Sequence, residues 1–449
     1  MQKSLAKDMT SGSPTGILLK FALPMLIGNI FQQVYSTVDS IVVGKFVGSD
    51  ALAAVGATGS LLFLINGIAF GLTAGISIVI SQYYGAKDYD KVRKAFATAT
   101  YIIVGVALIM GAVGFFSSRW LLELLGTPDS IINVSEIYMK ISFAGVLGMT
   151  LYNGIAGVLR ALGDSVTPLI FLIIASITNV VLDLVFVVYF QWGVPGVAVA
   201  TIISQFISAI GCIIYAYVKV KILRMPLKEF VPERDIFNKC IRLGVPVAIQ
   251  NGLISVSMSA LQGVVNSYNE VVIAANTVAS RIEQLVLQPG SSVSMALAAY
   301  AGQNIGAGLT DRVKKGFKSA LIIIVAFSLL MLPAMYFGGE YIMRLFTKPE
   351  DYEVVKTGII AIRITCFFYP FVGIIFITRN FLSGVGDIKI PLLMGVSEVI
   401  FRISFVYLFT AWFGFKGIWW ATAINWVLTA AVGMYRVSSG KWKDKAIVG

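Results

Sequence analysis

The sequence predicts an all-α polytopic membrane protein, with 12 transmembrane helices arranged in two pseudo-symmetric six-helix lobes. Three observations carry that expectation. The 449 residues are 57% hydrophobic and only 13% charged, where a soluble domain carries about 25% charged residues. Twelve windows are long and apolar enough to cross a bilayer, which takes roughly 20 residues each. One segment of the first half recurs in the second.

The windows fall at 16–44, 51–82, 94–116, 134–160, 165–190, 194–218, 241–266, 271–301, 314–337, 353–382, 389–411 and 414–437. Little chain is left between them, so no soluble domain is expected. The net charge of +12 might point to nucleic acid, but its placement argues otherwise. An even number of spans puts both termini on one side. Lys and Arg on that side number 25 against 7 in the opposite loops, with Arg281, Arg363 and Arg402 inside spans. This is the positive-inside pattern, so both termini are expected in the cytoplasm and the chain in the cell (inner) membrane. Nucleic acid is not an expected partner, and the lipid bilayer is.

The opening "MQKSLAKDMTSGSPTG" lacks a short apolar core followed by a small-residue cleavage site, so the first span is expected to do the targeting. Cys212, Cys240 and Cys366 are scattered and odd in number, which indicates neither a disulfide framework nor a metal knot. The chain has no histidine. Any proton handling therefore falls to Asp, Glu, Tyr or Lys. No cofactor is expected.

The duplication is explicit. "QYYGAKDYDKVRKAF" (Gln82 to Phe96) recurs as "QNIGAGLTDRVKKGF" (Gln303 to Phe317), with 7 of 15 positions identical. Weaker echoes keep a displacement of 221–223. Pro24 and Asn29 answer to Pro246 and Asn251, while Gly163, Asp164 and Pro168 answer to Gly386, Asp387 and Pro391. The chain thus reads as an amino-terminal lobe (1–217), a basic cytoplasmic linker (218–239) and a carboxy-terminal lobe (240–449). Each half holds an even number of spans, so the repeats run parallel, the plan of transporters with a substrate path between their halves. The repeated GAKDYDK/GAGLTDR and GDSVTP/GDIKIP segments read as tight turns with an acid near a helix start, identifying the fold without carrying chemistry.

Several of these segments resemble the multidrug and toxic-compound extrusion (MATE) family: the Pro24 span running into "VDSIVVGKFVGSDALAAVG", the paired "QxxGA" loops, "RALGDSVTPL", and "NVVLDLVFVVYFQWGVPGVAVATIISQ". The resemblance covers essentially the whole chain. It implies a V-shaped bundle of two six-helix lobes that exports amphipathic, often cationic compounds in exchange for inward protons or sodium.

The chemistry is sought among polar residues deep within spans. Asp39, in the first span, and Asp183, in the fifth, are the acids of the amino half. An ionised carboxylate at such depth costs roughly 2.5–3.5 kcal/mol on insertion scales. Both spans run outward, so both acids fall in the outer half of the membrane. Asn179 precedes Asp183 by four residues and shares its helical face. Thr201 lies at similar depth on the sixth span, with Gln205 one turn further, and Asn153 is a polar candidate of the fourth. By resemblance to MATE proteins with an amino-lobe cation site, the matching positions are Asp39, Asn179, Asp183 and Thr201, with Asn153 and Tyr138 as companions. Carboxylates, an amide carbonyl and a hydroxyl suit sodium. Two acids in one poorly solvated site suit a proton equally, and the residues do not choose between the ions.

The carboxy half has no counterpart to the acid pair. Asp39 maps onto Ala260, Leu261 or Gln262, and Asp183 onto Ser404, Phe405 or Val406. The deep charges there are Arg281, Glu283, Glu398 and Arg402. Glu398 and Arg402 lie four apart, so a lipid-shielded salt bridge is expected. Arg281 and Glu283 lie two apart and must find other partners. Some MATE transporters place an acid in the seventh span as part of a carboxy-lobe cation site. Here that span, "LGVPVAIQNGLISVSMSALQG", contains none, which favours the amino lobe.

Substrate contacts are expected from Tyr35, Gln284, Gln288 and Met295, since aromatics and methionines suit a promiscuous amphipathic pocket. Pro24 and Pro289 are the expected bending points. A flippase for a lipid-linked precursor is the alternative on the same two-lobed plan. It needs cations facing the cavity, and the amino half offers two acids. An enzyme is not expected, because histidine, large polar loops and a GxxxxGK[ST] motif are missing. The reading is a monomeric secondary transporter of small amphipathic or cationic compounds.

Overall fold

The computed structural model describes residues 7–447. Its helices in chain order are α1 (Pro14–Val42), α2 (Ser49–Gly85), α3 (Tyr89–Leu124), α4 (Asp129–Ala144), α5 (Val146–Ala161), α6 (Val166–Asp183), α7 (Val194–Lys219), α8 (Arg234–Val265), α9 (Glu270–Gly306), α10 (Thr310–Arg344), α11 (Tyr352–Thr365), α12 (Tyr369–Gly384), α13 (Lys389–Phe413) and α14 (Gly417–Ser438). Two windows hold two helices each. α4 and α5 meet at a 45° bend, and α11 and α12 are joined by the 3₁₀ turn Cys366–Phe368. Fourteen helices therefore make twelve spans. Nine stretches cross by length and apolarity alone, and the bent α4–α5 pair adds a tenth. One of the nine, Lys389–Ser438, is the α13–α14 pair, while α9 falls short because its first half carries Asn276, Arg281, Glu283 and Gln284.

The helices turn apolar side chains outward: Phe116 is 84% exposed, Tyr341 77% and Phe337 76%. Exposure on that scale in a protein without soluble domains is the lipid-facing surface.

The chain divides into two compact units. One comprises the segment up to Met9 together with Leu23–Ala248; the other comprises Thr10–Ala22 and Ile249–Gly449. In the first unit, α2 packs on α3, α4 and α5, and α7 packs on α5 and α6. Small residues bring the start of α8 against α2. A Cβ on Gly71 would stand 2.3 Å from the Ala248 backbone nitrogen, and one on Gly75 2.4 Å from that of Gly244. Two small residues four apart on each helix allow the backbones to touch. The amino-terminal strap lies on the same unit. Lys7 N–H donates to Leu162 O at 3.0 Å, and Gly163 (φ +87°) passes so near that a Cβ would meet the Lys7 carbonyl at 2.2 Å.

In the second unit, α9 packs against α10, α11 and α12, and α14 against α12 and α13. Its core gathers Val272, Ile282, Met335, Met343, Ile362, Tyr369, Met394 and Trp426. The Trp419 indole reaches across it to donate to Asn276 Oδ1 at 3.1 Å.

The repeated turns have the expected structural roles. Asp88 accepts from the Lys91 amide at the start of α3. Asp164 accepts from the amides of Val166 and Thr167 and from the Thr167 hydroxyl at the start of α6. Buried Asp387 holds Arg436 at 2.6 Å.

Candidate functional site

Asp39 lies three residues before the end of α1, and Asp183 is the last residue of α6. Each helix then tightens its radius no further but widens into a π-helical turn, Val43–Val47 after α1 and Leu184–Tyr189 after α6. Such i→i+5 turns concentrate at functional positions because they re-aim the side chains beside them. Apolar periodicity does not reveal them. A layer of valines (Val42, Val43, Val187, Val194 and Val197) packs around these turns, with Tyr138 against it. On α1, α6 and α7 alike, this layer sits about one turn, or roughly 6 Å, beyond the polar residues.

Beneath it the carboxyl groups of Asp39 and Asp183 approach within hydrogen-bonding reach of each other. Asp183 is fully buried and Asn179 nearly so. The Asn179 amide spends Nδ2 on the Thr201 hydroxyl oxygen at 3.3 Å, which leaves its buried carbonyl oxygen without a donor. Four buried oxygens then have no donor: Asp39 Oδ1, both oxygens of Asp183, and Asn179 Oδ1. Among the described residues, no Lys or Arg pairs with either acid. All four are acceptors. Buried acceptors without donors are costly unless a proton or a cation joins them.

Four of the expected coupling residues are thus brought together. Tyr138 is also present, in electrostatic contact with both acids. Tyr35, expected against substrate, lies beside the same acids one turn down α1. Asn153 sits half-buried on α5 and makes no hydrogen bond to this group. Gln284, Gln288 and Met295 are on α9 of the second unit, with Gln284 exposed and the other two half-buried. Pro24 and Pro289 lie inside α1 and α9 respectively, each in a helix continuous across the proline.

The interior of the second unit holds a cluster that the sequence reading grasped only in part. The expected Glu398–Arg402 pair is present at 2.8 Å. Arg379 joins it, bonding the other Glu398 oxygen at 2.8 Å. Arg379 lies five residues before the end of α12, and its side chain turns into the unit and is 12% exposed. Arg402 also reaches the Met258 sulfur at 3.2 Å. Arg281 is exposed, and Glu283 Oε1 is buried without a donor, with Arg402 as the charged group near Glu283.

Comparison with known proteins agrees with this architecture. The MatE family model matches residues 24–185 and again 246–408. The two matches start 222 residues apart and end 223 apart, the displacement of the internal repeat. A probable multidrug resistance protein, YpnP of Bacillus subtilis (strain 168), is 31% identical over 98% of both chains. The probable multidrug resistance protein NorM of Thermotoga maritima is 22% identical over 96% of this chain and 94% of its own. Among solved structures, an outward-facing MATE transporter of the MOP superfamily superposes with a TM-score of 0.90 at 23% identity, covering 98% of this chain and 99% of that one. A MOP-superfamily transporter from Pyrococcus furiosus, described as having a binding pocket of reverse polarity, superposes at 0.89 and 23% identity over 99% of both chains. The chain belongs to the MatE family of multi-span membrane proteins, the multidrug and toxic-compound efflux transporters.

Proposed function

We propose that the protein is a cation-coupled antiporter that exports amphipathic, often cationic compounds by alternating access, driven by inward protons or sodium. The observation that carries this reading is the set of four buried acceptor oxygens on Asp39, Asn179 and Asp183, with no donor and no basic partner among the described residues. In the loaded state a proton or Na⁺ joins the two carboxylates, and the Asn179 carbonyl and Thr201 hydroxyl complete the oxygen set. Tyr35 and Tyr138 bring hydroxyls to its edge. Release to the opposite side restores the repulsion between the acids, and that difference between loaded and empty states is what couples ion to substrate. Bending at Pro24 and Pro289, contacts to substrate from Tyr35, Gln284, Gln288 and Met295, cytoplasmic termini and a monomeric unit of function belong to the same proposal. So do the lobe limits at 1–217 and 240–449.

The test is transport of a fluorescent cationic dye in proteoliposomes under an imposed proton or sodium gradient, with wild type beside Asp39→Asn and Asp183→Asn. Dye movement that follows one gradient and is lost in both variants is the expected result. Gradient-driven movement that survives both substitutions overturns the amino-terminal site. No dye movement under either gradient overturns the substrate class and favours a flippase.

A further inference from the structure

The two halves of the duplicated chain treat the same position differently. In the segment from α5 to α6 the repeat displacement is 223, as Gly163, Asp164 and Pro168 against Gly386, Asp387 and Pro391 establish. At that displacement Asn179, whose buried carbonyl oxygen has no donor, corresponds to Arg402. Asp183 corresponds to Val406. Where one half offers an oxygen to a cation, the other holds a guanidinium.

The surroundings of Arg402 fit that exchange. Its Nη2 and the Nη2 of Arg379 each hold one oxygen of Glu398 at 2.8 Å. The side chain of Arg402 is only 2% exposed. Glu283 on α9 lies within electrostatic reach of Arg402 and of the buried Tyr369 hydroxyl on α12. Glu283 Oε1 lacks a donor, and Arg402 Nε and Arg379 Nε lack acceptors. Two carboxylates and two guanidinium groups leave no net charge. In the first unit the two acids have no basic partner, and their charge waits for an ion.

We infer that Arg402, supported by Arg379, is a tethered cation that fills the ion position of the second unit, so that only the amino-terminal unit exchanges an ion. Arg402 is then a residue that sets the ion-to-substrate ratio, acting through Glu283 and Glu398. The inference rests on the coupling role proposed for Asp39 and Asp183, and it goes beyond that role by assigning the other half its silence.

The experiment is ion binding to the purified full-length transporter in detergent, with no substrate added. Sodium-dependent thermal stabilisation and proton release on sodium addition or a base pulse are measured. Wild type is compared with Asp39→Asn, Glu283→Gln, Arg402→Lys, Arg402→Asn, and Arg402→Asn combined with Asp39→Asn or with Glu283→Gln. Glu283→Gln and Arg402→Lys are expected to match wild type, and Asp39→Asn to lose the signal. Arg402→Asn is expected to gain a second ion-dependent signal that persists beside Asp39→Asn and disappears beside Glu283→Gln. Loss of the wild-type signal in Glu283→Gln overturns the inference, as does a monodisperse Arg402→Asn protein with no added signal. Should Arg402→Asn fail to fold, the Glu283→Gln arm decides alone. A wild-type signal that survives Asp39→Asn refutes the amino-terminal site separately, and leaves the comparison of the Arg402 variants standing on its own.

Discussion

Substituting Gly75 by alanine tests whether the contact of α2 with the start of α8 is a backbone contact. The new Cβ would stand 2.4 Å from Gly244 N, 2.5 Å from its Cα and 2.8 Å from Cys240 O. All three are main-chain atoms, so no rotamer change relieves the overlap. Carbon atoms rest at about 3.5–4.0 Å, and the helices must separate by roughly 1 Å. A gap of that size removes a quarter to a half of the attraction between atom pairs worth about 0.1–0.2 kcal/mol each. Over the roughly 40–60 contacts of a well-packed site this amounts to about 1–6 kcal/mol. Measured overpacking costs of about 1–3 kcal/mol lie within that span. A loss of about 3 kcal/mol lowers the ratio of folded to unfolded protein roughly a hundredfold. Gly105→Ala on α3 is the control, because its Cβ would meet nothing within 4 Å and alanine favours a helix by about 1 kcal/mol. The assay is the midpoint of heat-induced loss of the monodisperse peak in detergent. Gly75→Ala is expected well below wild type and Gly105→Ala at or above it. Equal midpoints for the two variants would refute the backbone-contact argument.

Three further outcomes are expected. Arg436→Met leaves the buried Asp387 carboxylate without its 2.6 Å partner, which costs about 3–5 kcal/mol; the thermal midpoint should fall steeply, and replacing Asp387 by Asn in the same protein should recover part of it. Asp164→Ala removes the acceptor of two amides and a hydroxyl at the start of α6, a loss of about 0.5–2 kcal/mol that Asp164→Asn should largely avoid in the same melting assay. Gly163→Ala combines a φ of +87° with a clash on the Lys7 carbonyl, so tryptic cleavage after Lys7 should quicken; an unchanged rate means that the strap is not held there.

Long-range features were legible where a single physical signal specified them. Apolar length marked most of the spans, and the repeat appeared because QxxGA and GD…P turns need particular residue types. Similar depth and a four-residue spacing placed Asp39, Asn179, Asp183 and Thr201 near one another, and the resemblance to MATE proteins singled these four out from Asn153 and Gln205. Arg379 was not legible because, near a helix end, a cation can extend to water or turn inward, and only the position of Glu398 on another helix decides. The spacing of Tyr35 from Asp39 gives the face of α1, but not what lies opposite. The π-helical turns leave no compositional trace, and Gly71 and Gly75 do not name Gly244 and Ala248 as their partners.

The uneven charge of the two halves also bears on how the chain is made. Asp39 is synthesised 144 residues before Asp183, an interval of about 7–30 s at 5–20 residues per second. During that time α1 carries into the membrane an acid whose companions on α6 and α7 do not yet exist. Its insertion penalty of roughly 2.5–3.5 kcal/mol is unrelieved unless a proton stays on it. Arg402 follows Glu398 by a single helical turn and enters the bilayer already neutralised. The two pairs therefore reach the membrane with opposite problems: Asp39 must wait for partners on later helices, and Glu398 and Arg402 arrive together on one helix.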